Sequence, residues 1–150
     1  MVLWHLTIDA NDPTRLARFW QLALGYEPQP PPDGHASWRA TYLAWGVPED
    51  ELADMTDDDY DRIQPPDGHG PKIWFQIVPE TKAGKNRLHL DLYPTLRDRS
   101  LPIEERRRLV DTRVAELVAA GASIGRVNDQ EEGYYAVLMH DPEGNEFCVA

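Results

Sequence analysis

The feature that most constrains this chain is a repeat. Leu3-Trp4-His5-Leu6-Thr7-Ile8 lies over Arg87-Leu88-His89-Leu90-Asp91-Leu92, histidine on histidine. Further on, Leu24-Gly25-Tyr26 lies over Ala120-Gly121-Ala122. The run Ile73-Trp74-Phe75-Gln76-Ile77-Val78 lies over the closing segment, with Gln76 over Glu146. Each half reads as a strand, a helix stopped by glycine, further strands and a closing strand. Two units of this kind, each a βαβββ run, complete one structure by packing together. The fold class expected is therefore α+β, a single domain over 1–150 with module 1 at about 1–80 and module 2 at about 86–150.

The local signals fill in that frame. Residues 2–9 alternate as a strand, with Trp4, Leu6 and Ile8 on one face and Leu3, His5, Thr7 and Asp9 on the other. Asp12 before Pro13 is a helix start; Leu16, Phe19, Trp20 and Ala23 form its apolar stripe, and Gly25 its stop. Residues 36–46 read as a strand and 72–78 as another. In the second half, 87–93 is a strand and Pro102 with Glu104-Glu105 opens a helix. Val110, Val114, Leu117 and Val118 supply that helix's stripe. Strands follow at 123–128 and 134–140. The last is set up by His140-Asp141-Pro142-Glu143-Gly144-Asn145, a tight turn, and begins at Glu146.

Composition excludes several functions. A formal net charge of −11 speaks against nucleic acid, whose binding needs clustered Lys and Arg. Residues 49–61 hold eight acidic and no basic side chains. They fail as an EF-hand, because a loop starting at Asp57 would have Arg62 in its glycine position and Gly68 in its glutamate position. A solvated acidic loop is expected instead. The start of the chain has no signal-like pattern, no apolar run is long enough to span a membrane, and the single Cys148 has no intrachain partner. These point to a cytoplasmic protein. A phosphate-cradling Gly-rich loop and a Ser/His/Asp constellation are both missing, which removes nucleotide hydrolysis and acyl transfer.

The chemistry that remains sits on alternating strand faces. His5 and His89 fall on the faces turned away from the helices, and so do Gln76 and Glu146. If the non-helix faces look at each other, two imidazoles, an amide oxygen and a carboxylate converge. That set suits a divalent Zn, Ni, Co, Mn or Fe(II) ion with open coordination positions. Each residue also has an ordinary role to set against this: a strand-rim histidine, a cross-strand Gln76 hydrogen bond, a Glu146 ion pair with Arg87 or Arg39. Trp38, Tyr42 and Trp74 either line an apolar ligand cleft or simply pack. His35 and His69 each end a Pro-Asp-Gly-His turn and read as exposed. Cys148 shares the face of Glu146, where a thiolate is disfavoured and a nucleophile is not expected.

Taken in order, the His5 strand, Asn11-Asp12-Pro13, Ala23-Leu24-Gly25-Tyr26, Leu88-His89-Leu90-Asp91-Leu92 and Asp141-Pro142-Glu143-Gly144-Asn145-Glu146 resemble the vicinal oxygen chelate superfamily. This is the glyoxalase/bleomycin-resistance/extradiol-dioxygenase group. The resemblance covers nearly the whole chain. It implies paired βαβββ modules forming a cupped mixed sheet around a metal or ligand site, often in a homodimer. The family's metal positions fall on His5, Gln76, His89 and Glu146. Glyoxalase I-like members usually carry a glutamate on both closing strands. Gln76 departs from this, leaving Glu146 as the one proton acceptor and weakening a lactoylglutathione lyase reading. Two functions are expected as alternatives, the second resting on the tryptophan-rich cup and the excess acidity, which would attract cations. One is a metal-dependent lyase, isomerase or oxygenase acting on an oxygen-chelating small molecule. The other is a metal-free protein that sequesters an aromatic or cationic one.

Overall fold

The structure, a computed structural model, describes residues 2–129 and 133–150. The chain divides into two compact units, Met1–Val78 and Pro79–Ala150. In the first, strand β1 (Leu6–Ala10) leads into helix α1 (Pro13–Leu24), β2 (Glu27–Pro28), helix α2 (Trp38–Ala44), β3 (Arg62–Gln64) and β4 (Ile73–Ile77). The second runs β5 (Asp91–Leu92), α3 (Ile103–Ala119), β6 (Ser123–Asn128), β7 (Ala136–His140) and β8 (Glu146–Val149). Both are mixed four-stranded sheets of the same order, β1-β4-β3-β2 and β5-β8-β7-β6. In each, the first and last strands pair in parallel and the others antiparallel. The expected α+β class and the repeat are thus present as topology.

The helix signals act as read. Asp12 Oδ1 accepts from the backbone N–H of Arg15 at 3.0 Å, Pro13 occupies the first helical turn, and Gly25 ends α1 at φ 66°. The stripe Leu16, Phe19, Trp20 and Ala23 is buried, joined by Ala17. It packs with Ala10, Ile63, Ile73 and Phe75 of the sheet as the core of the first unit. In the second, Val110, Val114 and Leu117 of α3 cover Val137, Met139, Phe147 and Val149. Val118 is exposed, since the buried stripe of α3 is narrower than expected.

Several expectations change. The strand expected at 2–9 is Leu6–Ala10, with Trp4 exposed. Residues 36–46 are not a strand: Ser37 caps a helix, its Oγ accepting from Ala40 N–H at 3.0 Å. Trp38, Tyr42 and Trp45 lie at i, i+4 and i+7, a helical stripe whose rings contact one another. The alternation of large and small side chains there imitates a strand. The strand expected at 87–93 is two residues long, Asp91–Leu92, and Leu88 is exposed. Nor is the acidic stretch wholly solvated. Asp57 accepts from Ser37 Oγ at 2.8 Å, Asp59 pairs with Arg18 at 3.0 Å, and Asp61 is largely buried beside Arg62. These carboxylates tie the loop to α1, α2 and β3.

Candidate functional site

In the first unit, alternation places Leu6, Ile8 and Ala10 against α1 and leaves Thr7 and Asp9 on the open face, with exposed His5 just before the strand. The parallel register pairs Thr7 with Trp74 and Asp9 with Gln76. Gln76 is therefore opposite Asp9, four residues along from His5, and the strand register does not bring His5 and Gln76 together.

The three aromatic residues named as cleft lining do converge. Their shared centre is a side chain of the chain itself. The Arg62 guanidinium carbon lies 4.4 Å from the Trp38 ring centroid, 5.6 Å from Tyr42 and 4.8 Å from Trp74. Arg62 Nη1 donates to Asp61 Oδ1 at 2.9 Å and to the Tyr42 hydroxyl. Asp61 Oδ2 accepts from the Tyr42 hydroxyl and from Trp74 Nε1 at 3.0 Å. Burial, then the bond to Asp61, pushes the Tyr42 pKa up to about 12. A cation stacked among aromatic faces and paired with a carboxylate makes a closed, satisfied cluster.

The second unit keeps its open face. The pairs Asp91–Cys148, Cys148–Leu138 and Leu138–Arg126 put these four side chains in one row across the sheet. The next row opposes Glu146 with His140. His140 gains its room from Gly125, at the bulge in β6: a Cβ there would stand 2.8 Å from the imidazole Cε1. Alternation along β7 could have signalled His140, whereas Arg126 is turned to this face by the bulge between Ile124 and Arg126, which no sequence period announces.

At one end of this face His89 Nδ1 lies 3.0 Å from Asp91 Oδ1. The ligand atoms of His89, Asp91 and Cys148 all fall within 4.8 Å of one another. A nitrogen, an oxygen and a sulfur donor at such spacing fit a borderline divalent ion. Burial, then the charge of Asp91, pushes the Cys148 thiol up, while Lys85 and Arg126 pull the other way.

Glu146 is engaged differently. One carboxylate oxygen accepts the Asn86 backbone N–H at 2.8 Å and lies 3.4 Å from Lys82 Nζ; the other is 4.0 Å from Lys85 Nζ. Its ion-pair partners are thus these lysines and not Arg87 or Arg39. The Asn86 hydrogen bond, ahead of the nearby Lys82, holds the carboxyl below the usual range, which makes it a weak base. Asn86 Oδ1 is buried with no donor among the described residues. The turn that delivers Glu146 is organised by buried Asp141. Its Oδ1 accepts from the backbone N–H groups of Glu143 and Asn145 at 3.0 and 2.9 Å, and Gly144 takes φ 86°.

Several solved structures share this fold. One is a glyoxalase/bleomycin resistance protein/dioxygenase family enzyme from Burkholderia phytofirmans, 16% identical, with a TM-score of 0.58 over 99% of this chain and 97% of that one. Another is a fosfomycin resistance protein from Listeria monocytogenes, complexed with Mn(II) and 1S,2S-dihydroxypropylphosphonic acid. It is 14% identical, with a TM-score of 0.56 over 99% and 90% of the two chains. An oxidase, ChaP-H2, matches at 16% identity and a TM-score of 0.51, over 99% and 91%. No curated protein sequence matches significantly. No helix among the described residues is long and apolar enough to cross a membrane. The family model for the glyoxalase-like domain matches residues 5–150, and the chain belongs to that family.

Proposed function

We propose that this protein binds a small oxygen-bearing molecule at a divalent ion held on the open face of its second unit, by His89, Asp91 and Cys148. The observation that carries the reading is the convergence of these three donors within 4.8 Å. When bound, such an ion supplies Lewis-acid polarisation of a chelating oxygen, the basis of a lyase, isomerase or oxygenase activity. The chain's own residues would do the rest. His89 and Asp91 would each present one donor, already 3.0 Å apart at Nδ1 and Oδ1, and the thiol of Cys148 would give up its proton to become the third ligand. Glu146 holds the 82–86 segment through Lys82, Lys85 and Asn86 N–H. His140, opposite Glu146, is the other acid–base side chain of the face. The family's ligand positions, His5, Gln76, His89 and Glu146, form an alternative set that shares His89.

Cobalt(II) substitution tests the reading. Bound Co(II) should show an intense near-ultraviolet thiolate band, abolished in Cys148→Ser. Visible Co(II) bands without a thiolate band, lost in Gln76→Ala, would assign the ion to the alternative set. The second reading is a metal-free binding protein, favoured by the lysines already paired with Glu146. It predicts no Co(II) spectrum at all.

A further inference from the structure

The row that carries Cys148 has a second end. Asp91, Cys148, Leu138 and Arg126 follow one another across β5, β8, β7 and β6, on the face away from α3. With strands about 4.8 Å apart, the backbone of Arg126 stands about 10 Å from that of Cys148. Between them lies the half-buried side chain of Leu138, an apolar floor one strand wide. Arg126 is exposed and makes no ion pair among the described residues, unlike Arg18, Arg39, Arg62 and Arg108, each tied to a carboxylate. Lys85 flanks the same face, 4.0 Å from Glu146 and 76% exposed. In a chain of net charge −11, this is a local cationic border around a short apolar floor.

We infer, resting on the reading of this face as a metal-held ligand site, that it takes a doubly functional anion. One end carries the chelating oxygens; the other carries a carboxylate or phosphate-type group that Arg126 receives across the Leu138 floor. The guanidinium is suited to this because its planar fork matches both groups bidentately. The carboxylates of the face favour the same polarity. Asp91 faces the donor end and Glu146 is neutralised by its lysines, so the Arg126 end is where anionic charge meets a cation with no ion pair among the described residues. A neutral or cationic molecule of the same length would leave Arg126 without a partner. The selectivity of the site thus resides at the edge strand, away from the donors.

Two simple acids separate the ends. Lactate and malate share a 2-hydroxycarboxylate chelating group, and malate adds a distal carboxylate. Titration calorimetry on the full chain, with and without Mn(II), should show malate binding about 10-fold tighter than lactate. Arg126→Gln should erase that preference while leaving lactate affinity and metal content unchanged, and Arg126→Lys should restore part of it. Equal affinities in the native protein, no binding of either acid, or a preference that survives Arg126→Gln would overturn the inference. Metal content is read independently. Metal bound without malate preference sinks the inference alone. Arg126-dependent preference without metal uptake sinks the metal-held reading and leaves the anion end standing.

Discussion

The two units have the same strand order, the same parallel pairing of first and last strands, and one helix of similar role, yet their open faces differ. In the first, the ring cluster is filled by Arg62 and Asp61, and Gln76 is opposite Asp9. In the second, a row from Asp91 to Arg126 stays open, with donors at one end and at the other a guanidinium that has no ion pair among the described residues. The buried faces are equivalent because both must cover a helix. The open faces carry no such requirement and diverge. Repetition of topology therefore does not repeat the site.

The equivalence of the buried faces can be broken directly. Phe75 in β4 and Phe147 in β8 are both fully buried. Alanine at either should cost about 3–5 kcal/mol, read as loss of cooperative unfolding free energy in urea. A cost near zero at one of them would show that only one unit has a packed core.

The difference of the open faces predicts the next effect. Arg62→Ala strips a largely buried cation from three rings and leaves Asp61 unpaired, so it should destabilise by about 2 kcal/mol in chemical denaturation. Arg126→Gln, on the exposed edge strand, should change stability by less than about 0.5 kcal/mol. Similar costs for the two arginines would erase the contrast drawn between a filled face and an open one.

A smaller effect separates the units by pH. Tyr42 in the first and Tyr135 in the second are both pushed up to about 12, but for Tyr42 burial comes first and for Tyr135 the hydrogen bond to Asp111. A tyrosine whose folded pKa is raised stays protonated in the fold while the unfolded chain ionises. Stability therefore falls as pH rises from about 10 toward 12. Ultraviolet tyrosinate absorbance should show Asp111→Asn returning Tyr135 most of the way to its ordinary range, while Asp61→Asn returns Tyr42 only in part. The smallest change is expected for Lys85→Gln. An ion pair with a 76% exposed partner at 4.0 Å should leave the melting temperature nearly unmoved.

Much of this was legible in the sequence wherever a local rule and the fold agree. Asp12-Pro13 and Gly25 bound α1 where the chain places it, and 123–128 is β6 to the residue. The helix at Trp38–Ala44 was misread because Trp38, Ala40, Tyr42 and Ala44 alternate in bulk, and the cap supplied by Ser37 is a single side-chain contact. Site reading by alternation found the face of Glu146 and Cys148. Register, which one sequence does not fix, decided that Gln76 meets Asp9 and that Arg126 shares a row with Cys148. The lysines on Glu146 come from a loop without periodicity, so no pattern announced them.

The proposed metal site, His89, Asp91 and Cys148, belongs to the second unit alone. The direct test is metal content per chain by mass spectrometry, after incubation of untagged protein with Zn, Mn, Co, Ni and Fe(II). The native protein is compared with Asp91→Asn, Cys148→Ser and Gln76→Ala. Near-stoichiometric metal in the native protein and Gln76→Ala, with loss in Asp91→Asn and Cys148→Ser, is the predicted result. Metal lost in Gln76→Ala and kept in Cys148→Ser, or no metal in any of them, would contradict it.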